Sequence, residues 1–339
     1  MLKIEKKVLL TAFTTLKIGA KAEFFSRLKN KSDLTAVLDW AKEKNKKIHI
    51  LGGGANLLVS GQVPGLVLKN EIKGKKIISK SGNTVILEAK SGEDWAKFVD
   101  YTVKNGWHGL ENLSLIYGTV GAAPIQNIGA YGVELKDVFD HLVAIDLKTG
   151  LEKIFTAPDC HFGYRDSIFK RRLKGRYFIY SVTFRLQKKA PLKLEYGSIK
   201  EVLEAKGITK PGLKEVAATV KAIRRSKLPN PDKLPNAGSF FKNVEISLAK
   251  YRRLQKLYPD IPGWPVNDKL IKIPSAWLIE RAGFKGKKFG PVGMHERQAL
   301  VMVNYGGAKP AQALALSIKI KLAIQKRFGL DLQEEINII

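Results

Sequence analysis

The first hundred residues alternate between apolar positions at helical spacing and short apolar runs. Four apolar residues spaced three or four apart follow Asp33 and predict a helix; they are Leu34, Val37, Leu38 and Ala41. The run 48–51 then predicts a strand that ends at three glycines. Residues 85–89 predict a further strand, and a second helix that ends at Gly106 carries Trp95, Phe98, Val99 and Val103 on its apolar face.

The rest of the chain continues as a mixture of helices and strands. Residues 142–147 and 151–155, joined by Lys-Thr-Gly, predict a hairpin, and 177–186 predicts a longer strand. Prolines and glycines interrupt 187–235 and predict a domain boundary near 220–235. Beyond it we predict a small α+β domain with a strand at 299–304 and a helix with one apolar face. The residues of that face are Ala311, Leu314, Ile318 and Leu322.

Composition places the chain among globular proteins of two to three domains. Of its 339 residues, 45% are hydrophobic and 27% charged, which excludes a disordered or collagen-like chain. No apolar run reaches the roughly 18 residues that span a bilayer, and the start lacks a signal-peptide pattern, so we expect a cytoplasmic protein without membrane contact. The single cysteine, Cys160, excludes an internal disulfide and predicts a buried thiol; the five histidines lack metal-ligand spacing, so no metal is expected.

The charge balance raises the alternative of a nucleic-acid-binding protein. Lysine and arginine total 59 against 31 acidic residues, a net charge of +28. The basic residues form scattered clusters at 42–47, 73–76, 170–176 and 285–288 rather than one arm or helix face. This scatter favours a solvated basic surface with weak attraction to any polyanion, and no specific nucleic-acid partner is expected.

Two glycine-rich segments are the strongest candidates for chemistry. The first, 52–58, follows a predicted strand, but Leu57 stands where a Rossmann fingerprint has its third glycine. The second, 118–132, has many glycines and alanines and no charge, so its backbone N–H groups can lie directly against a ligand. A tight turn, or a close-packed helix start, would explain the same small residues.

The glycine segments and three further motifs resemble, in order, the UDP-N-acetylenolpyruvoylglucosamine reductase (UDP-N-acetylmuramate dehydrogenase) family, in the subgroup with a tyrosine loop. The further motifs are Tyr-Arg-Asp-Ser-Ile-Phe-Lys at 164–170, Asn-Ala-Gly-Ser-Phe-Phe-Lys-Asn at 236–243 and Gln-Ala-Leu-Val at 298–301. The resemblance implies an α+β, FAD-binding fold of the vanillyl-alcohol-oxidase type. Its implied parts are FAD subdomains at 1–68 with 329–339 and at 69–223, and a substrate domain at 224–328.

The resemblance also implies the activity: a monomer that reduces UDP-N-acetylglucosamine enolpyruvate to UDP-N-acetylmuramate with NADPH, through non-covalent FAD, for peptidoglycan synthesis. Hydride addition to the enolpyruvyl group leaves negative charge that needs a cation, a proton donor and an enol-stabilising group. By resemblance these are Arg165, Ser239 and Glu335. The alternatives are a related FAD-dependent alcohol or sugar oxidase and the basic nucleic-acid-binding protein.

Further contacts follow from the same motifs. The substrate contacts implied by the resemblance are Tyr196, Arg224, Lys227, Asn243 and Gln298. The expected FAD contacts are Gly52, Gly53, Gly54, Ala55, Asn56, Leu57, Ser114, Gly118, Thr119, Gly121, Ala122, Gln126, Asn127, Gly129, Ala130, Tyr131 and Gly132.

The sequence departs from the family pattern in two places. Leu115 and Tyr117 occupy positions where the family often has glycine and proline, which changes the backbone preferences of that turn. Gln-Glu-Glu-Ile-Asn at 333–337 replaces the common Glu-Pro-Glu-Val-Arg, so Glu335 is assigned by its distance from Leu332.

Overall fold

The computed structural model describes residues 3–196 and 198–339. Its strands are β1 (Glu5–Leu9), β2 (Lys21–Leu28), β3 (Ile48–Leu51), β4 (Leu57–Leu58), β5 (Val63–Asn70), β6 (Lys75–Ser81), β7 (Thr84–Lys90), β8 (Gly129–Ala130), β9 (Val133–Glu134), β10 (Phe139–Asp146), β11 (Glu152–Thr156), β12 (Tyr177–Gln187), β13 (Asn236–Ser239), β14 (Val244–Ser247), β15 (Trp264–Pro265), β16 (Leu270–Ile273), β17 (Lys288–Phe289), β18 (Val292–Met294), β19 (Val301–Asn304) and β20 (Asn337–Ile338). Its helices are α1 (Lys31–Glu43), α2 (Trp95–Lys104), α3 (Ala157–Cys160), α4 (Ile199–Ala205), α5 (Leu213–Lys227), α6 (Leu248–Leu257), α7 (Ser275–Arg281) and α8 (Pro310–Phe328).

The described residues form two compact units. The first contains 3–8, Ala22–Gly53 and Val63–Ser226, and the second contains Leu9–Lys21, Gly54–Gln62 and Lys227–Ile339. The three-part division into 1–68 with 329–339, 69–223 and 224–328 stays a prediction. None of the helices in the described part of the chain is long and apolar enough to cross a membrane.

The first unit is built on two sheets, ordered β1-β2-β5-β3 and β11-β10-β12-β7-β6. The predicted helices 33–41 and 95–103 are confirmed as α1 and α2. Each begins where a polar side chain caps a backbone N–H: Asn30 accepts from Asp33, and Asp94 accepts from Lys97. The predicted hairpin is also confirmed, since β10 and β11 pair antiparallel with Leu142 opposite Phe155.

Aromatic side chains pack helix α2 against the second sheet of the first unit. Trp95 and Phe98 of α2 pack against Phe184 of β12, with ring centroids 6.0 and 4.8 Å away. Cys160 lies fully buried in the same cluster, as predicted. Aromatic contacts of this kind add about 0.5–1.5 kcal/mol each beyond the area they bury, so they fix α2 on the sheet from which the candidate site is built.

The second unit carries the sheets β13-β19-β18-β17 and β14-β16-β15, together with the parallel pair β20-β4. Its predicted helix 311–322 is confirmed as α8, but the predicted apolar face is wrong. Ile318 and Leu322 are 57% and 65% exposed, while the buried residues include Leu316, Ile320 and Ile324. Aliphatic residues occupy both sides of α8, so their spacing does not identify the side that packs on the core.

Candidate active site

The two glycine-rich segments meet within the first unit. A Cβ added at Gly53 would lie 2.7 Å from the Cα of Gly118, and one added at Gly52 would lie 2.8 Å from Oγ1 of Thr119. Real Cβ atoms do not approach other atoms so closely, and the atom met at Gly53 belongs to the backbone, so this position requires glycine for the segments to touch. The contact joins the end of β3 to the loop that follows α2.

This contact fits a bound dinucleotide because hydroxyl groups lie buried beside it. The side-chain oxygens of Ser114 and Thr119 are buried without a hydrogen-bond partner among the described residues. Buried hydroxyls normally find partners, so these two groups fit a polar ligand. Lys69 supports the first segment, since its ammonium contacts the carbonyl of Gly52, and burial lowers the pKa of Lys69.

Some of the residues predicted to contact the cofactor also have a structural role in the loop. Gly121 packs on Ser91, where an added Cβ would lie 2.4 Å from the serine Cβ. Asn127 is fully buried, and its amide donates to Glu134 (3.0 Å) and to the carbonyl of Gly163 (3.1 Å). The close-packed interpretation therefore accounts for part of the 118–132 segment. The role of these residues in binding FAD stays a prediction.

Arg165 lies against the second glycine segment. Its Nη2 donates to the carbonyl of Gly129 at 2.7 Å, and its guanidinium lies 5.5 Å from the centroid of the Tyr164 ring. The loop that carries it is tied to the same segment, because the Ser167 hydroxyl donates to the carbonyl of Ile125 at 2.7 Å. The first unit thus brings a predicted catalytic cation next to predicted cofactor contacts.

Arg224, predicted to bind substrate, belongs to the same neighbourhood. Its Nε donates to the carbonyl of Leu115 at 3.1 Å. Burial lowers the pKa of Arg224, the hydroxyls of Tyr131 and Tyr117 oppose that shift, and the charge of Arg165 adds to it. Two guanidinium groups that repel each other form a site suited to an anion.

Backbone strain concentrates in the same loops. Leu115, Asn127, Tyr131 and Arg165 all have left-handed backbones, with φ of 57°, 44°, 49° and 52°. Such conformations cost about 1–3 kcal/mol each for residues other than glycine and collect at functional sites. The carbonyl that receives Arg224 belongs to Leu115, so this strained turn directs an acceptor at the guanidinium.

Tyr196 lies beside the end of the second glycine segment. A Cβ added at Gly132 would be 3.1 Å from the Cβ of Tyr196, and the tyrosine is 57% exposed. Asn112 links the two chain segments that meet here, because its amide donates to the carbonyls of Tyr131 (2.8 Å) and Lys193 (2.9 Å). Glycine at position 132 therefore leaves the space that Tyr196 uses.

The second unit places Ser239 and Glu335 on neighbouring segments. Ser239 ends β13 opposite Val301, just after Gly238, whose φ of +72° favours glycine. The backbone N–H of Glu335 donates to the carbonyl of Phe240 at 2.8 Å, so it lies next to the residue after Ser239. The Asn56 amide reaches the carbonyl of Glu335 at 3.4 Å. The predicted proton donor and carboxylate are thus brought together in one unit.

The other predicted substrate contacts are spread over the second unit. Lys227 is exposed at the end of α5. The Asn243 side chain accepts from the N–H of Ser275 at 3.2 Å, and Gln298 accepts from the N–H of Leu300 at 3.4 Å. The Gln298 contact stabilises a local turn, and the Asn243 contact joins residues 32 positions apart in the sequence. The substrate contacts of both side chains stay predictions.

Sequence reasoning missed two charged residues that the structure places at these segments. Lys69 lies at the Gly52 carbonyl, and Glu334, directly before Glu335, pairs with Lys321 of α8. Neither belongs to a motif built from residue spacing. Only the departure at 333–337 pointed towards Glu334.

Comparison with known proteins agrees with this geometry. Residues 22–157 match the family described as FAD binding domain, and residues 230–339 match UDP-N-acetylenolpyruvoylglucosamine reductase, C-terminal domain. The chain is 43% identical to the UDP-N-acetylenolpyruvoylglucosamine reductase of Pseudomonas aeruginosa, over 99% of each chain. The chain belongs to this reductase family.

Solved structures extend the agreement to the fold. The UDP-N-acetylenolpyruvylglucosamine reductase of Thermus caldophilus is similar with a TM-score of 0.68 at 21% identity, over 100% of this chain and 99% of that one. A solvent-stable cholesterol oxidase is similar with a TM-score of 0.51 at 13% identity, over 98% and 87% of the chains. The predicted α+β, FAD-binding fold of the vanillyl-alcohol-oxidase type is confirmed.

Proposed function

We propose that the chain reduces the enolpyruvyl group of UDP-N-acetylglucosamine enolpyruvate to give UDP-N-acetylmuramate, a precursor of peptidoglycan. The chain is an FAD oxidoreductase of the reductase family, and NADPH is proposed as its reductant. It is further proposed to act in the cytoplasm as a monomer, with no specific nucleic-acid partner. Sedimentation of the flavin-loaded chain tests the oligomeric state.

The pair of guanidinium groups in the first unit is the observation that supports this proposal most strongly. Arg165 lies against the second glycine segment, and the half-buried Arg224 lies within range of its charge. An enolpyruvyl nucleotide carries a carboxylate and a diphosphate, both of which guanidinium groups bind through paired donors. An alcohol or sugar oxidase acts on a substrate without these anionic groups and has no comparable use for two neighbouring guanidinium groups.

Each catalytic residue has a role set by the charge that develops in the substrate. When bound, FAD supplies the hydride that NADPH provides. Arg165 stabilises the negative charge that spreads into the substrate carboxylate. Ser239 gives the proton that completes reduction, and Glu335 stabilises the enol or relays that proton. Tyr196, Arg224, Lys227, Asn243 and Gln298 are proposed to hold the nucleotide.

Colour changes of the flavin test the function directly. The purified chain should be yellow; without oxygen, NADPH should bleach it, and the enolpyruvyl nucleotide should restore the colour. Recolouring only with oxygen would indicate an oxidase. A colourless chain with tight, steeply salt-dependent DNA binding would indicate the nucleic-acid alternative.

Separate measurement of the two half-reactions tests the role of Ser239. Ser239→Ala should slow flavin oxidation by the enolpyruvyl nucleotide about 100-fold or more, since general acids contribute about 10²–10⁴. Flavin reduction by NADPH should stay near its normal rate. Ser247→Ala, which removes the hydroxyl that caps α6 in the same unit, is the control and should affect neither half. An equal loss of rate in both half-reactions would show that Ser239 is not the general acid.

A further inference from the structure

The segment that carries Glu335 is held by a short antiparallel pairing. The N–H of Lys242 donates to the carbonyl of Gln333 at 2.9 Å, and the N–H of Glu335 donates to the carbonyl of Phe240 at 2.8 Å. Phe241 and Glu334 face each other between these two bonds. Two backbone hydrogen bonds thus fix the position of Glu335 along the chain that follows Ser239.

The side chain of Glu334 faces helix α8. Its Oε1 accepts from the Ser317 hydroxyl at 3.1 Å and from the Lys321 ammonium at 3.1 Å, and its Oε2 lies 3.3 Å from the same ammonium. Ser317 and Lys321 are four residues apart, so they share one side of the helix. Ser317 is 2% exposed and the Glu334 side chain 25%, whereas the Lys321 side chain is 41% exposed, so the network is sheltered from solvent on its Ser317 side.

Successive side chains of an extended segment point to opposite sides. Because Glu334 points at α8, its neighbour Glu335 points away from that helix. A rotation of the segment would break the contacts of Glu334 with Ser317 and Lys321. The orientation of Glu335 is therefore coupled to a contact that Glu335 does not make itself.

We propose that Glu334 is a positioning residue for the reduction: through Ser317 and Lys321 it fixes the orientation of the segment that presents the Glu335 carboxyl group. The proposal rests on the proposed role of Glu335. Glu334 touches neither substrate nor cofactor in this account. Its effect reaches the reaction only through its neighbour.

The position of Glu334 in the pairing gives the proposal a specific consequence. Proline restricts φ without any side-chain partner. The two backbone bonds of this pairing use the N–H groups of Lys242 and Glu335, not that of Glu334. Proline at position 334 therefore fits the pairing and should replace, through backbone rigidity, what the contact with α8 provides.

The test compares variants by amide hydrogen exchange and by the two flavin half-reactions. In Glu334→Gln, exchange of the Glu335 N–H should be about fivefold to tenfold faster, the effect of losing a contact worth about one hydrogen bond. Flavin oxidation by the enolpyruvyl nucleotide should slow by a similar factor, and reduction by NADPH should not change. Lys321→Met, which changes only the helix side, should behave in the same way, and Glu334→Pro should restore both measurements.

Glu245→Gln is the matched control. Glu245 pairs with Lys272 at 3.0 Å with comparable exposure, in the same unit but between β14 and β16. It should change neither the Glu335 exchange rate nor either half-reaction. Unchanged exchange and rates in Glu334→Gln would overturn positioning by Glu334. An unchanged oxidative half-reaction in Glu335→Gln would instead overturn the proposed role of Glu335 and, with it, this inference.

Discussion

Replacement of Gly53 by alanine should push apart the two segments that are proposed to hold FAD. The added Cβ would lie 2.7 Å from Cα and 3.1 Å from the carbonyl carbon of Gly118. Carbon atoms pack best at about 3.5–4.0 Å, so the segments must separate by roughly 1 Å. Both atoms belong to the backbone, and no side chain can rotate away to relieve the contact.

The expected cost follows from this overlap. Overpacking of a close contact costs about 1–3 kcal/mol, which should lower the free energy of unfolding in urea by that amount. Since about 1.4 kcal/mol is a tenfold change in affinity, displacement of the segments should weaken FAD binding about tenfold to hundredfold. Titration of flavin-free protein with FAD, followed by quenching of flavin fluorescence, measures the affinity.

Gly61→Ala provides the control for this prediction. An added Cβ at Gly61 meets nothing within 4 Å, and its φ lies outside the left-handed range. The variant should bind FAD normally and be unchanged or about 0.4–1 kcal/mol more stable, because alanine restricts the unfolded chain. Wild-type stability and FAD affinity in Gly53→Ala would refute the close contact of the two segments.

Three further predictions concern stability and reactivity. Leu115→Gly should be about 0.5–1 kcal/mol more stable than Leu115→Ala in urea, because a left-handed φ of 57° strains every residue except glycine; equal stability would contradict that strain. Burial, aided by Asp159, raises the pKa of Cys160 to about 12, so its thiol should react with Ellman's reagent at about pH 8 only on unfolding; rapid labelling of the native chain would contradict its burial. Burial, then the charge of Arg297, lowers the pKa of His295 below 6.5. As the pH falls, His295 therefore binds a proton in the unfolded chain before it does so in the folded chain. The stability contributed by neutral His295 is complete above about pH 6.5 and is lost as the pH falls towards the lowered pKa. Between about pH 7.5 and 5.5, the free energy of unfolding of His295→Asn should therefore fall less than that of the wild type. Equal falls in the two chains would show that His295 does not cause this pH dependence.

The regular elements of the first unit were predictable because local signals agree there. In α1, apolar residues at helical spacing follow a capping side chain, and Gly150 closes a hairpin between two strands. The face of α8 was not predictable, because aliphatic residues occur on both of its sides and only tertiary packing selects Leu316 and Ile320 over Ile318 and Leu322.

In the candidate site, too, some features could be predicted from the sequence and others depend on the fold. Glycine-rich segments and the motif around Arg165 are visible in the sequence, because a missing Cβ and a fixed charge are properties of single residues. Their contacts are not visible, since Arg165 meets Gly129 36 positions away and Asn56 meets Glu335 279 positions away. Lys69 and Glu334 were missed because their roles arise from the carbonyl and the helix that the fold places beside them.

Analysis of the reaction product tests the central claim most directly. The flavin-loaded chain is mixed without oxygen with NADPH and UDP-N-acetylglucosamine enolpyruvate, and the products are identified by mass spectrometry and NMR. The account predicts one lactyl ether, UDP-N-acetylmuramate, for each NADPH oxidised. NADPH oxidation that requires oxygen, forms hydrogen peroxide and leaves the enolpyruvyl group intact would contradict it.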